Sequence, residues 1–292
     1  MKITVKAPAK INLSLDVLGK RPDGYHEIST VMQAVSLYDT VTVTDNDSGE
    51  VTVFCGYEGV PNDESNIAVK AALRFFDYCK MPKKGVHIEI DKQIPTQAGL
   101  AGGSSDGAAV IFALNQLFSA HLNPADMNAI AERVGADVPF CVQGGTKLCT
   151  GIGATLKKLP SLSCSDIVIC KPDAVSVSTA EAYKKVDALA PHPCYTDEMV
   201  KAIYSRDMFM ITSTIFNDFE LALQIPEVNE IKSVMLKNKA KGAGMSGSGS
   251  AVFAVFTSSN KAQKCCDELK EKYPQTFLCK PVNIGCEVVE NE

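Results

Sequence analysis

Residues 95–109, Pro-Thr-Gln-Ala-Gly-Leu-Ala-Gly-Gly-Ser-Ser-Asp-Gly-Ala-Ala, limit what this chain can fold into more than any other stretch. A strand-like alternation, Val86, Ile88 and Ile90, leads in, and a nearly unbroken apolar run from Ala108 to Leu114 leads out. Between them lie Gly99, Gly102, Gly103 and Gly107, with Ser104, Ser105 and Asp106. Glycine has no Cβ and tolerates positive φ, so this backbone can approach another group closely. The loop opens a helix, whose first N–H groups are unpaired and carry partial positive charge. Such a helix start suits an anion, phosphate above all. The same composition also serves a tight turn with Ser105 or Asp106 as N-cap. The stretch lacks both G-x-x-x-x-G-K-[ST] and G-x-G-x-x-G, which excludes the P-loop and the dinucleotide fingerprint there.

A chain of 292 residues has room for two domains. Hydrophobic residues at 46% and charged residues at 22% are ordinary for a soluble globular protein. A net charge of −5 without a long basic run argues against nucleic acid as the main ligand. A local basic pocket for a phosphorylated metabolite is still compatible with it. The 11 cysteines form no C-x-x-C pair, so neither a disulfide framework nor a zinc site is expected. Buried, reduced thiols in a cytoplasmic protein are the expectation. Residues 1–6 lack the apolar core of a signal peptide, and no apolar stretch reaches the ~20 residues that span a bilayer.

Ile3 and Val5 alternate with polar neighbours as in a strand, and a second strand is expected from Ile11 to the turn at 19–24. Lys10 and Asn12 fall near its start, and Tyr25 and His26 just past the turn. Asn66 reads as an N-cap before Val69, Ala72, Leu73 and Phe76, the inner face of a helix. The helix after the glycine loop is apolar nearly all round and should be buried. Asn123-Pro124 starts another helix, and Gly135 suits its end. A boundary near Leu159-Pro160 divides the chain into 1–158 and 159–292. Strands and helices mix without a strict βαβ rhythm, so the fold class expected is α+β.

Three further stretches are candidates for chemistry. Ala7-Pro8-Ala9-Lys10-Ile11-Asn12 places a lysine beside an asparagine on a strand, where it is either functional or a solvated edge residue. In Gly135-Ala136-Asp137-Val138-Pro139-Phe140, Asp137 is either functional or the cap of a short helix. Residues 241–250 contain Gly242, Gly244 and Gly247 at G-x-G-x-x-G spacing. They follow a helix and enter a strand, the reverse of the dinucleotide order. They form either a flexible turn or a loop that lines a pocket from the second domain.

Taken together, Pro-x-Lys-x-Asn, the Gly-Leu-Ala-Gly-Gly-Ser-Ser loop and the late glycine-serine loop resemble the three motifs of the GHMP kinases. The resemblance implies an N-terminal domain like ribosomal protein S5 domain 2, a ferredoxin-like C-terminal domain and an active-site cleft between them. Pro8–Leu13, Arg21–His26 and Gly135–Phe140 look like the branch that uses ATP to phosphorylate the 2-hydroxyl of a CDP-linked methylerythritol, in the non-mevalonate isoprenoid route. By that resemblance Asp137 matches the catalytic base, and Lys10 its partner, which orients the hydroxyl and stabilises charge. Tyr25, His26, Tyr183 and Asn12 match the substrate pocket, with Tyr183 stacking on the cytosine and His26 hydrogen-bonding it. Pro95, Gly99, Leu100, Ala101, Gly102, Gly103, Ser104 and Ser105 match the ATP phosphate loop, and Asn66 and Lys92 lie where the family surrounds the nucleoside. Gln97, Ala98 and Ala101 stand where the family often has glycine, which narrows the room near the phosphates. Asp106-Gly107 replaces a short polar residue and alanine. No residue is assigned to a metal, and Mg²⁺ is expected to arrive with ATP. The expected partner is a small CDP-linked alcohol, with neither nucleic acid nor membrane, in a monomer or weak homodimer.

Overall fold

The computed structural model describes residues 1–162, 166–173, 175 and 178–291. Two long antiparallel strands, β1 (Lys2–Lys20) and β2 (His26–Asn46), form its spine. Then follow β3 (Val51–Cys55), α1 (Ile67–Tyr78), β4 (Gly85–Asp91), α2 (Gly102–Leu117), α3 (Pro124–Glu132), α4 (Val138–Gln143), β5 (Thr146–Gly151) and β6 (Thr155–Lys158). The remainder carries β7 (Asp166–Cys170), α5 (Thr179–Val186), α6 (Tyr195–Ser205), α7 (Met208–Ser213), β8 (Phe216–Asn217), α8 (Asp218–Leu223), α9 (Pro226–Lys237), β9 (Gly242–Met245), β10 (Val252–Phe256), α10 (Ser259–Lys270), β11 (Thr276–Cys279) and β12 (Glu287–Asn291).

One sheet runs β12-β1-β2-β4-β3, with β5 and β6 continuing from β2 and β8 joining β1. The other is antiparallel, in the order β11-β7-β10-β9. The chain changes sheet between Lys158 and Asp166, and β12 returns to pair with β1. Three cores result. The first lies between the large sheet and helices α1 to α4, the second between the two sheets, and the third behind the small sheet under α9 and α10. All ten described cysteines are free and eight are buried. Burial pushes the Cys149 thiol up to about 12, so it packs as an apolar group.

Where two strands were expected before residue 20, the protein has one. Pro8 does not end β1; it marks an irregularity in the register, where Pro8 faces Tyr38 but Ala9 faces Val35. The irregularity changes which way the side chains point. Before it, Ile3, Val5 and Ala7 lie in the helix-side core. After it, Ala9, Ile11 and Leu13 lie in the core between the sheets. The even-numbered Lys10 and Asn12 therefore come out on the helix side, beside the start of α2. Bulges commonly re-aim side chains at sites in this way, because strand side chains alternate with a period of two.

The second part of the chain is tied to β1 by buried polar contacts as well. Asp16, fully buried, accepts from Tyr195 N at 2.9 Å, from Thr196 N at 2.7 Å and from Thr196 Oγ1 at 2.5 Å. A strand residue of the first sheet thus caps α6, whose own N-cap, Cys194, offers no side-chain hydrogen bond.

Candidate active site

A cleft of about 700 Å³ opens where the two sheets and α2 meet. Its floor is the start of α2. The helix begins at Gly102, earlier than a cap at Ser105 or Asp106 would place it. Its N-cap is Ala101, which supplies no side-chain hydrogen bond. Gly102, Gly103 and Ser104 line the cleft with the uncapped, positive end of the helix. That end suits the phosphates of a nucleotide.

The loop before α2 takes positive φ at Gln97 (50°), Gly99 (74°) and Ala101 (58°). Two of these are positions where the family often has glycine. The left-handed conformation costs a residue with a Cβ about 1–2 kcal/mol, so Gln97 and Ala101 carry strain as well as bulk. At Gly99 a side chain is sterically excluded: a Cβ there would stand 2.0 Å from the carbonyl oxygen of Ser246. The close approach that the glycines permit is therefore made first to the protein itself. The two glycine-rich loops pack backbone to backbone, with Ala251 N donating to Ala98 O at 3.1 Å. Gly247, Ser248 and Gly249 line the cleft from the second part of the chain. Gly107 has a packing reason too, since a Cβ there would meet Ile67 Cγ2 of α1 at 2.9 Å.

Lys10 is 4% exposed. Its ammonium donates to Asn12 Oδ1 at 2.6 Å and to Gly99 O at 2.8 Å. An ammonium has three donors, so among the described residues one is left over. Asn12 Nδ2 in turn donates to Thr30 Oγ1 at 2.8 Å. Ser246 Oγ donates to Gly99 O at 2.9 Å and accepts from Asn12 N at 3.2 Å. β1, β2 and both glycine loops thus hold one lysine in one pose.

Asp137 stands at the N-cap position of α4, yet its side chain makes no capping hydrogen bond. Among the described residues no hydrogen bond or ion pair engages its carboxylate. It lines the same cleft as Lys10 and Tyr183. Burial raises the Tyr183 phenol above its usual range, and the Asp137 charge adds to that.

Lys92 also lines the cleft, but its ammonium is engaged elsewhere. It donates to Asp39 Oδ2 at 2.5 Å and to Asp106 Oδ2 at 2.8 Å, and all three side chains are at most 4% exposed. Asp39 Oδ1 accepts from Gln93 N at 2.7 Å and from Ile94 N at 2.8 Å. Among the described residues Asp106 Oδ1 has no hydrogen-bond partner. Burial lowers the Lys92 pKa, but Asp106 and Asp39 outweigh it and the net shift is upward. Burial pushes Asp106 up to about 8, against the pull of Lys92. The two shifts agree with one charge distribution. Lys92 keeps its charge, and Asp106 holds a proton more readily than an ordinary aspartate.

Asn66 caps α1 as expected. It accepts from Ala68 N at 2.9 Å and donates to Pro61 O at 2.7 Å, on the cleft wall. Pro95, Leu100 and Ala101 line the cleft as well. Ser105 does not: it is fully buried and its hydroxyl donates to Pro8 O at 2.7 Å, fastening α2 to β1. Tyr25 is 62% exposed and lies outside the lining. His26 is one ring behind the wall, stacked on Tyr183 with centroids 4.2 Å apart. Thr179, Phe219 and Ser246 belong to the site and were not picked out individually. Ser246 sits in the second glycine loop, which did carry a signal, whereas Phe219 and Asp39 carried none.

Two sheets that share a core, with helices packed on the outer face of each, agree with what the family comparisons find. The chain belongs to the GHMP kinases: the GHMP kinases N terminal domain matches residues 66–145, and the GHMP kinases C terminal domain matches residues 199–275. The fold is the two-domain GHMP kinase fold. A protein of Thermoanaerobacter pseudethanolicus named 4-diphosphocytidyl-2-C-methyl-D-erythritol kinase is 43% identical, over 99% of both chains. A solved 4-(cytidine 5'-diphospho)-2C-methyl-D-erythritol kinase superposes with a TM-score of 0.79 at 30% identity, over 96% of this chain and 99% of that one. A homoserine kinase from Cytophaga hutchinsonii shares the fold with a TM-score of 0.81 at 23% identity, over 99% of this chain and 97% of that one. Among the described residues no helix is long and apolar enough to cross a membrane.

Proposed function

We propose that the protein transfers the γ-phosphoryl group of ATP to the 2-hydroxyl of 4-diphosphocytidyl-2-C-methyl-D-erythritol, serving the non-mevalonate route to isoprenoid precursors. The identity of 43% over essentially the whole chain to a kinase named for that substrate carries the reading. The site supports it. Phosphoryl transfer asks the protein for positioning and charge stabilisation more than for covalent chemistry. The open N–H groups of Gly102, Gly103 and Ser104 receive the phosphates. The substrate hydroxyl attacks the γ-phosphorus, the bond to the β–γ bridging oxygen breaks, and ADP leaves. Asp137 takes the hydroxyl proton, as its unengaged carboxylate permits. Lys10 steadies the oxygen and the charge that develops there.

The carboxylates of the cleft do not fit a magnesium site held by the protein. Asp106 faces the Lys92 ammonium, and among the described residues Asp137 is the one other acidic residue of the lining. Magnesium therefore enters as the ATP complex, and no step is derived through it. The protein works in the cytoplasm as a monomer or weak homodimer on this reading.

A coupled ADP-release assay with the CDP-alcohol, homoserine and mevalonate tests the assignment. Turnover of homoserine or mevalonate, with none of the CDP-alcohol, would overturn it. Tyr183→Ala is expected to raise KM for the CDP-alcohol by about tenfold or more, in line with the loss of base–aromatic stacking. KM for ATP should stay close to wild type. Equal changes in both would remove Tyr183 from the base site.

A further inference from the structure

Asn217 is 5% exposed and lies outside the cleft lining, where three parts of the chain meet. In β8 it pairs with Leu15 of β1. As the N-cap of α8, its Oδ1 accepts from Phe219 N at 2.8 Å. Its Nδ2 donates to Met245 O at 2.7 Å and to Gly247 O at 2.9 Å. A side-chain amide nitrogen has two hydrogens, and both are given to the backbone of the second glycine loop. Two carbonyls on one side and an N–H on the other allow the amide one orientation. Glu220 of α8 accepts from Met245 N at 2.7 Å and is paired with Lys232. Met245 is thus held at both of its backbone polar groups.

The segment held in this way bears directly on Lys10. A Cβ on Gly247 would stand 3.3 Å from the Lys10 ammonium and 3.0 Å from Gly99 O. Ser246 lies between the two anchored carbonyls and shares Gly99 O with the lysine. Its hydroxyl donates to that oxygen at 2.9 Å, and the ammonium at 2.8 Å. A loop movement of about 1 Å would carry the Ser246 contact beyond hydrogen-bond length. We propose that Asn217 is a positioning residue for phosphoryl transfer. By fixing Met245 O and Gly247 O it holds the second glycine loop against Gly99 and Lys10, and so fixes the ammonium where charge develops. It touches neither substrate and acts through Lys10, on the role that the proposed function gives that lysine. Without the amide, both carbonyls lose this donor in a part of the loop buried from water, and the loop moves to find another.

A double-mutant cycle tests the coupling. ADP release with ATP and the CDP-alcohol is measured for wild type, Asn217→Ala, Lys10→Ala and the double variant. Asn217→Ala should lower kcat at least ~10-fold, towards the ~10²-fold that a misplacement of about 1 Å can cost. Both KM values should stay close to wild type, as for a contact made only in the transition state. In the Lys10→Ala background the same change should lower kcat less than ~2-fold, because the group it positions is gone. A residue that only stabilises the fold would cost the same factor in both backgrounds. Melting temperatures keep each assay below the onset of unfolding. If Asn217→Ala does not fold, Asn217→Ser, which keeps a donor at shorter reach, takes its place in the cycle with the same expected outcome. Equal factors in the two backgrounds, an unchanged kcat, or a loss confined to KM overturns the role of Asn217 and leaves the proposed function standing. Near-normal kcat in Lys10→Ala overturns the role given to Lys10, and that of Asn217 with it.

Discussion

Asp137→Asn is expected to lose turnover by at least ~10²-fold, the scale of a positioned general base, with little change in KM or in melting temperature. The structure separates the two roles that an aspartate before Val-Pro can have. A capping aspartate would accept from the first N–H groups of α4, and its replacement would cost about 1 kcal/mol of stability. Asp137 accepts none of them. Asp137 lines one cleft with Lys10, whose ammonium, among the described residues, keeps one hydrogen beyond those given to Asn12 and Gly99. Asparagine preserves shape and polarity and removes only the ability to take a proton. Steady-state kinetics and thermal melting of the same preparation decide the matter. Near-normal turnover together with a lower melting temperature would make Asp137 a helix cap and leave the reaction without its base.

Lys92→Met should destabilise the protein by about 3–5 kcal/mol, the usual cost of removing one partner from a buried ion pair. Methionine fills the space but leaves Asp39 and Asp106 with no cation at exposures of 0% and 4%. Asp39 keeps two backbone donors, whereas Asp106 keeps only the Asp39 carboxylate beside it and must hold its proton. Replacing Asp106 by Asn in the Lys92→Met background should restore part of the loss. Urea unfolding measures both, and a loss below ~1 kcal/mol would mean that water reaches the cluster.

The same cluster gives a pH dependence of known sign. Unfolded, Asp106 releases its proton near the ordinary aspartate value, about 4. Folded, it does so at about 8, because burial disfavours the charge. Between those values the folded state binds the extra proton, so stability falls as pH rises through this window. The contribution is fully present below the lower value and lost above the upper one. Asp106→Asn should remove that slope relative to wild type. Parallel slopes in the two proteins would show that Asp106 is ionised throughout.

The glycine loop, the Lys10 stretch and the Asp137 stretch could be picked out in the sequence because each breaks a local pattern. A strand run gives way to glycines, and a helix stop is followed by Asp-Val-Pro. Local chemistry also placed the Asn66 and Asn123 caps, both of which accept from the first N–H groups of their helices. Less visible were the features that depend on two distant segments meeting. Asp39 and Lys92 are 53 positions apart and form an ion pair only because β2 and the residues after β4 are neighbours. Gly99 reads as a phosphate glycine, but its Cβ is forbidden by Ser246, 147 positions away. Tyr25 and His26 are adjacent in sequence and part company in space, one exposed and the other stacked against Tyr183.

The sequence by itself determined the α+β class and that a glycine-rich loop opens the helix on which the site is built. These follow from composition and short-range spacing, which act within a few residues of backbone. The tertiary structure alone decided which way Lys10 and Asn12 point. Strand side chains alternate, so the register irregularity beside Pro8 moves residues 9–12 of β1 to the opposite face. The hydrophobic pattern from Ile3 to Leu13 has the same period on both sides of that point. It takes the packing of the helices against one half of β1, and of the second sheet against the other, to turn Lys10 towards the cleft.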